Sequence, residues 1–172
     1  MDLFSVANTL TPTTTDQMTQ VWAMGVLVTL KIFGNQTGGL MSSFEDEVSP
    51  GIGPPLHYHT LEDETWTMLE GGLTWIIGEN QHDVTDGDVI FIPRGTPHAF
   101  VNKSGKNARM LVIYTPAGQE NWFVEIGKPV HDPAKPPEIS PEERQAAIKI
   151  GEEKYAMVFL PPKQAPAAKD EL

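Results

Sequence analysis

The chain never stays apolar for long. Between residues 34 and 118 it is cut by turn-forming clusters: GNQTGG (34–39), SPGIGPP (49–55), EGG (70–72), GENQHD (78–83), TDGD (85–88), PRGTP (93–97), NKSGKN (102–107) and PAG (116–118). The runs between and after them are LMSSFE, ETWTML, LTWII, VIFI, HAFV, ARMLVIY and NWFVEI. Such runs suit strands better than helices, and many short strands at regular spacing predict an all-β sandwich or barrel. VWAMGVLVTLKIF (21–33) is β-branched and reads as a strand pair. The end of the chain differs. HDPAKPPEIS (131–140) is a Pro-rich linker, and Ser140-Pro141-Glu142-Glu143 offers an N-cap, a first-turn proline and a glutamate three residues after the cap. A helix of roughly ten residues should follow and end near Gly151. The organisation expected is an N-terminal arm (1–20), a β domain (21–127), and a linker, short helix and flexible tail (128–172).

A length of 172 residues suits a single domain with a proper core. The formal net charge of −11 argues against nucleic-acid or anionic-membrane partners. With no cysteine there is no disulfide framework, thiolate metal site or thiol nucleophile. No basic and apolar leader opens the sequence, and no apolar run approaches ~20 residues, so a cytoplasmic location is expected. The final Lys169-Asp170-Glu171-Leu172 spells an ER-retention address, read here as coincidental.

Two stretches carry chemistry. In LHYHTLEDETWTML, His57 and His59 are two apart, so on a strand both imidazoles face one side. Neutral imidazole is a good ligand for Fe, Ni, Mn, Co, Cu or Zn. Downstream, Trp66 and Met68 alternate with Thr65 and Thr67. Glu64 shares the inward parity of Trp66 and Asp63 does not. Glu62 also shares it but lies further back in the turn. A carboxylate facing an apolar interior needs a partner, which a metal held by two histidines would supply. In GDVIFIPRGTPHAFVN, Pro93, Gly95 and Pro97 make a tight corner, and His98 opens a strand on the same face as Phe100. Glu62 and Asp63 are otherwise expected in a solvated acidic turn, with His82 and His131 also solvated.

These stretches resemble the two motifs of the cupins. Gly51, His57, His59, Glu64 and Gly71 fit G(x)5HxH(x)3–4E(x)6G, and Gly87, Pro93, Gly95, His98 and Asn102 fit G(x)5PxG(x)2H(x)3N. The resemblance implies a small jelly-roll β-barrel holding one divalent transition metal ion by His57, His59, Glu64 and His98. It assigns the glycines to turns or close approaches and leaves Asn102 to tie down a loop. Inward parity adds a substrate pocket of Trp66, Met68, Trp75, Ile77, Phe100 and Phe123. Within the cupins, GPPLHYH, FIPRGTPHAFVN and YTPAGQENWFVEIG are similar to single-domain quercetinase-like members. That similarity implies a dioxygenase acting on a hydrophobic or aromatic small molecule and O2, with Glu64 both binding metal and serving as general base. Isomerase, epimerase, decarboxylase or lyase chemistry on the same site, and a metal-dependent small-molecule binding protein, are the alternatives. Cupins commonly dimerise, and a homodimer is expected.

Overall fold

The structure is a computed structural model that describes residues 18–161. The arm before Met18, the tail after Pro161 and the C-terminal tetrapeptide lie outside the described residues.

Twelve strands form in chain order: β1 (Thr19–Ala23), β2 (Val26–Ile32), β3 (Ser42–Val48), β4 (His57–His59), β5 (Asp63–Glu70), β6 (Gly72–Ile77), β7 (Asn80–Thr85), β8 (Val89–Ile92), β9 (His98–Val101), β10 (Ala108–Thr115), β11 (Lys128–Pro129) and β12 (Met157–Phe159). Helices α1 (Glu120–Ile126) and α2 (Pro141–Lys154) complete the set. One antiparallel sheet runs β11-β1-β2-β3-β10-β5-β8, and the other runs β12-β4-β9-β6-β7. The mostly-β, two-sheet arrangement fits the expected jelly roll.

Alternation drives the layering. On β10, Ala108, Met110, Val112 and Tyr114 are buried, and between them Arg109, Leu111 and Ile113 are only partly so. Leu30, Phe44, Val48, Met110 and Val112 are all fully enclosed between the sheets. Each such side chain contributes roughly 1.5–3 kcal/mol by leaving water. The strand pair expected over 21–33 is present as β1 and β2, joined at Met24-Gly25.

Three expectations need correction. NWFVEI is helix α1, not a strand. Its apolar residues Trp122, Phe123 and Ile126 fit a helical spacing as well as a strand one, and so short a run is ambiguous by period alone. GENQHD is largely strand β7, whose polar residues are tolerated because it is a sheet edge facing solvent. Helix α2 has 14 residues and passes through Gly151 rather than stopping near it. A Cβ on Gly151 would lie 2.9 Å from Met157 Sδ and 3.2 Å from Trp122 Nε1. This glycine is therefore kept for close packing of α2 on β12 and α1, not for a helix stop. The Ser140 cap forms as read, with Glu143 N–H donating to Ser140 Oγ and Ser140 N–H donating to Glu143 Oε2.

Candidate metal centre

Strand β4 carries His57 and His59 on its inner face, with Tyr58 between them less buried. Strand β9 begins at His98, which pairs directly with His57. Strand β5 brings Glu64 from the opposite sheet, inward with Trp66 and Met68 as parity requires. All four site residues are buried, His59, Glu64 and His98 at 1% exposure and His57 at 6%.

The three histidines each offer a ring nitrogen, all within 4.8 Å of one another, and could hold a metal ion. Two are oriented by their own chain. His57 Nδ1 lies 2.9 Å from Pro55 O, and His98 Nδ1 lies 2.9 Å from Thr96 O. A carbonyl only accepts, so each Nδ1 carries the proton and donates, and each Nε2 lone pair is free. Glu64 Oε1 is 3.1 Å from His98 Nε2 and 3.4 Å from His59 Nε2, while Oε2 accepts from Trp66 Nε1 at 2.8 Å. The two histidine contacts are close but poorly directed, and both Nε2 atoms are buried without a hydrogen-bond partner among the described residues. Buried polar atoms seldom go unsatisfied. Three imidazoles and a carboxylate, with unpartnered nitrogens converging, fit the donor set of a borderline divalent metal.

The electrostatics agree. Burial drives His57 well below its ordinary value, helped by the charges of His98 and His59. Burial also takes His59 down to about 4, although Glu64 opposes it. Both imidazoles are thus neutral and ligand-ready at pH 7. Burial alone would raise Glu64, but His98 and His59 beside it hold it at about 2. His98 goes the other way, raised by Glu64 against the effect of its own burial.

The surroundings lock this geometry. Asp63, on the outer parity, accepts from Arg94 Nε at 3.0 Å, Arg94 Nη2 at 2.8 Å and the Arg94 backbone N–H at 2.8 Å. That clamp ties the 93–97 corner to the start of β5. Gly95, at φ +78°, donates its N–H to His59 O at 2.7 Å. Asn102 ties down its loop as expected: Nδ2 donates to Val48 O and Lys106 O, both at 2.7 Å, and Oδ1 accepts from Ser104 N at 2.9 Å. Glu62 corrects the expectation of a solvated turn. It is 5% exposed, and its Oε2 is 3.9 Å from His59 Nδ1. Burial pushes its carboxyl up to about 7. The inward parity of Glu62 was the signal that it belongs inside. His82 and His131 are exposed as read.

Beside the histidines lies a cavity of about 50 Å³ lined mainly by apolar side chains. Trp66, Phe100 and Phe123 line it with His57 and His98. Met68, Trp75 and Ile77 do not line it and instead pack in the core, Trp75 with its ring 4.9 Å from Phe100 and 5.1 Å from Trp66. Lining residues not expected there include Asp46, Tyr114, Trp122 and Phe159. Asp46 and Tyr114 hold inward parity on β3 and β10, which alternation alone could have flagged. Trp122 lies on α1, packed against α2, and Phe159 lies on β12, which the return of the chain to pair with β4 brings there. Phe159 stacks on His57 at 5.5 Å and 19°.

Residues 44–114 match the sequence profile of a family described as "Cupin domain". An uncharacterized protein of Aquifex aeolicus (strain VF5) is 36% identical over 73 residues, 41% of this chain and 59% of that protein. Tetracenomycin polyketide synthase protein TcmJ of Streptomyces glaucescens is 25% identical over 92 residues, 53% of this chain and 62% of that protein. The match thus spans about six-tenths of the length of each of these curated relatives. An RmlC-like cupin from Shewanella frigidimarina NCIMB 400 superposes with a TM-score of 0.56 at 15% identity, covering 66% of this chain and 96% of its own, a likeness of fold. The profile match, the shared two-sheet fold and the convergent histidines together support a cupin domain over residues 44–114.

Proposed function

We propose that the chain is a metal-dependent cupin enzyme, of quercetinase-like dioxygenase type, acting on a small hydrophobic or aromatic molecule with an enol, phenol or carboxylate. The supporting observation is the apolar, aromatic-walled cavity lined by His57 and His98, the latter with its Nε2 buried and unpartnered among the described residues. In this reading His57, His59, Glu64 and His98 hold one divalent transition metal ion, which when bound supplies Lewis acidity to a substrate oxygen. The remaining work falls to the chain. His57 and His98 keep fixed tautomers through Pro55 O and Thr96 O. Glu64 keeps Oε2 on Trp66 and, with Oε1 swung free of the histidines it faces, takes the substrate hydroxyl proton on that oxygen. Trp66, Phe100 and Phe123 exclude water and orient the ring. Turnover of a flavonol with stoichiometric O2 uptake is the expected result; equal turnover under strict anaerobiosis would remove the dioxygenase reading for that substrate.

Cavity size favours a second reading. About 50 Å³ holds a few waters and falls below the ~300 Å³ usual for larger ligands, so a flavonol requires the Trp122–Phe159 wall to move. A small oxygen-rich acid or sugar fits more readily, and on it the same groups would run decarboxylation or isomerisation without O2. A homodimer is part of the proposal, and a monomeric mass by light scattering would contradict it.

A further inference from the structure

Asp46 is an acid in the wrong company. On β3 it holds the inward parity between Phe44 and Val48, and it is 3% exposed. Its cross-strand partners are Val28 on β2 and Met110 on β10, both fully buried. The nearby cations Lys31 and Arg109 are engaged by Glu45 on the other face of the same strand. Asp46 Oδ1 has no hydrogen-bond partner among the described residues, yet the side chain lines the same cavity as His57, His98 and Tyr114. A leucine or valine would suit this position better, because burying an unpartnered polar group costs several kcal/mol. Such a group in a cavity wall is matched by something that enters the cavity.

Sheet register places Asp46 away from the metal centre. Glu64 lies opposite Tyr114, Trp66 opposite Val112, and Met68 opposite Met110, which in turn faces Asp46. Asp46 is thus two rows of side chains from Glu64, with the Trp66 row between. We infer that Asp46 is the substrate-recognition group at the far end of the cavity. Its ligand is a small molecule with a metal-binding oxygen at one end, an apolar body, and a hydroxyl or amine at the other end that donates to Oδ1. Burial pushes the Asp46 carboxyl well up, with Glu45 and Glu64 adding to it. This inference rests on reading the cavity as a metal-dependent substrate site.

The test compares two probes with the same metal-binding end, benzoate and 4-hydroxybenzoate. Dissociation constants are measured by tryptophan fluorescence on the zinc-loaded full chain and its Asp46→Asn and Asp46→Leu variants, and zinc content is determined on the same samples. Wild type should prefer 4-hydroxybenzoate by roughly tenfold, the worth of one buried hydrogen bond. Asp46→Leu should abolish that preference without losing zinc, and Asp46→Asn should retain part of it. Absence of a preference in wild type, or its survival in Asp46→Leu, overturns the assignment. If Asp46→Leu does not fold, the wild-type ratio and the Asn variant still decide. A wild type that takes up no zinc would instead sink the metal-site reading, a result distinct from a zinc-loaded protein with no hydroxyl preference.

Discussion

Gly53→Ala should disable the metal centre without touching a ligand. Gly53 passes against β9, and a Cβ there would sit 1.8 Å from Phe100 O, 2.8 Å from Phe100 C and 3.1 Å from Val101 Cα. Real Cβ contacts essentially never fall under 3.0 Å, so the loop and strand must part by at least 1.2 Å. The clash is with backbone, so no rotamer relieves it. Nor can the loop swing away freely, because Gly51 N–H donates to Asn102 O at 2.8 Å and Asn102 N–H donates to Ile52 O at 3.0 Å. Overpacking of this kind costs about 3 kcal/mol or more. At 2–4 °C per kcal/mol for a chain of this size, the melting temperature should fall by roughly 6–12 °C. The displacement also reaches the metal centre. β9 starts at His98, whose Nε2 lies 3.1 Å from Glu64 Oε1. A displacement of 1.2 Å in a cluster this tight should weaken metal binding about 10–100-fold, as loss of an orienting contact does. Thermal melts with and without zinc read both effects. Gly72→Ala is the control, since its Cβ would meet Val84 O at 3.3 Å and needs only a small adjustment. A Gly53→Ala protein that melts within 2 °C of wild type and binds zinc equally would refute the close-approach argument.

Adding a divalent metal should raise the melting temperature, by about 2.7 kcal/mol of linked stability at a hundredfold excess over Kd, and His98→Ala should erase the rise. Glu64→Gln should keep the fold and the Trp66 contact while cutting zinc occupancy and turnover; an unchanged zinc isotherm with unchanged turnover would remove Glu64 from the site. Glu45 gives the pH prediction. Burial would raise its carboxyl, but Lys31 at 2.9 Å and Arg109 Nε at 2.8 Å outweigh that and lower it. A folded-state value below the unfolded one stabilises the protein above about pH 4.5 and loses that stability as pH falls through the folded value. Glu45→Gln should therefore flatten the acid limb of a melting-temperature profile below pH 4.5 and change little below the pH at which Glu45 is protonated in both states.

Strand periodicity already carries much of this protein. His57 and His59 share a face because successive side chains alternate, and the same rule puts Glu62, Glu64, Trp66 and Met68 inside and Asp63 outside. The Pro93–Gly95 corner and the position of His98 were readable because proline and glycine restrict the backbone locally. Read strictly, parity also implied that Glu62 and Asp46 are inward. A carboxylate is ordinarily solvated, and only the enclosing sheets show that these two are not.

Other features have no local cause. Whether WFVEI coils or extends depends on what it packs against, and α1 forms because Trp122 is buried against α2, where its Nε1 donates to Ala147 O at 3.1 Å. Gly151 looks like a helix stop until Met157 and Trp122 are seen pressed against it. Local sequence determined the alternation, the turns and which histidines could share a side. Tertiary structure decided which groups meet across the two sheets and which C-terminal side chains wall the cavity. The reason is physical: periodicity follows from bonded geometry within a few residues, whereas the pairing of β12 with β4 joins positions about a hundred residues apart and is set only by the packing of the whole chain.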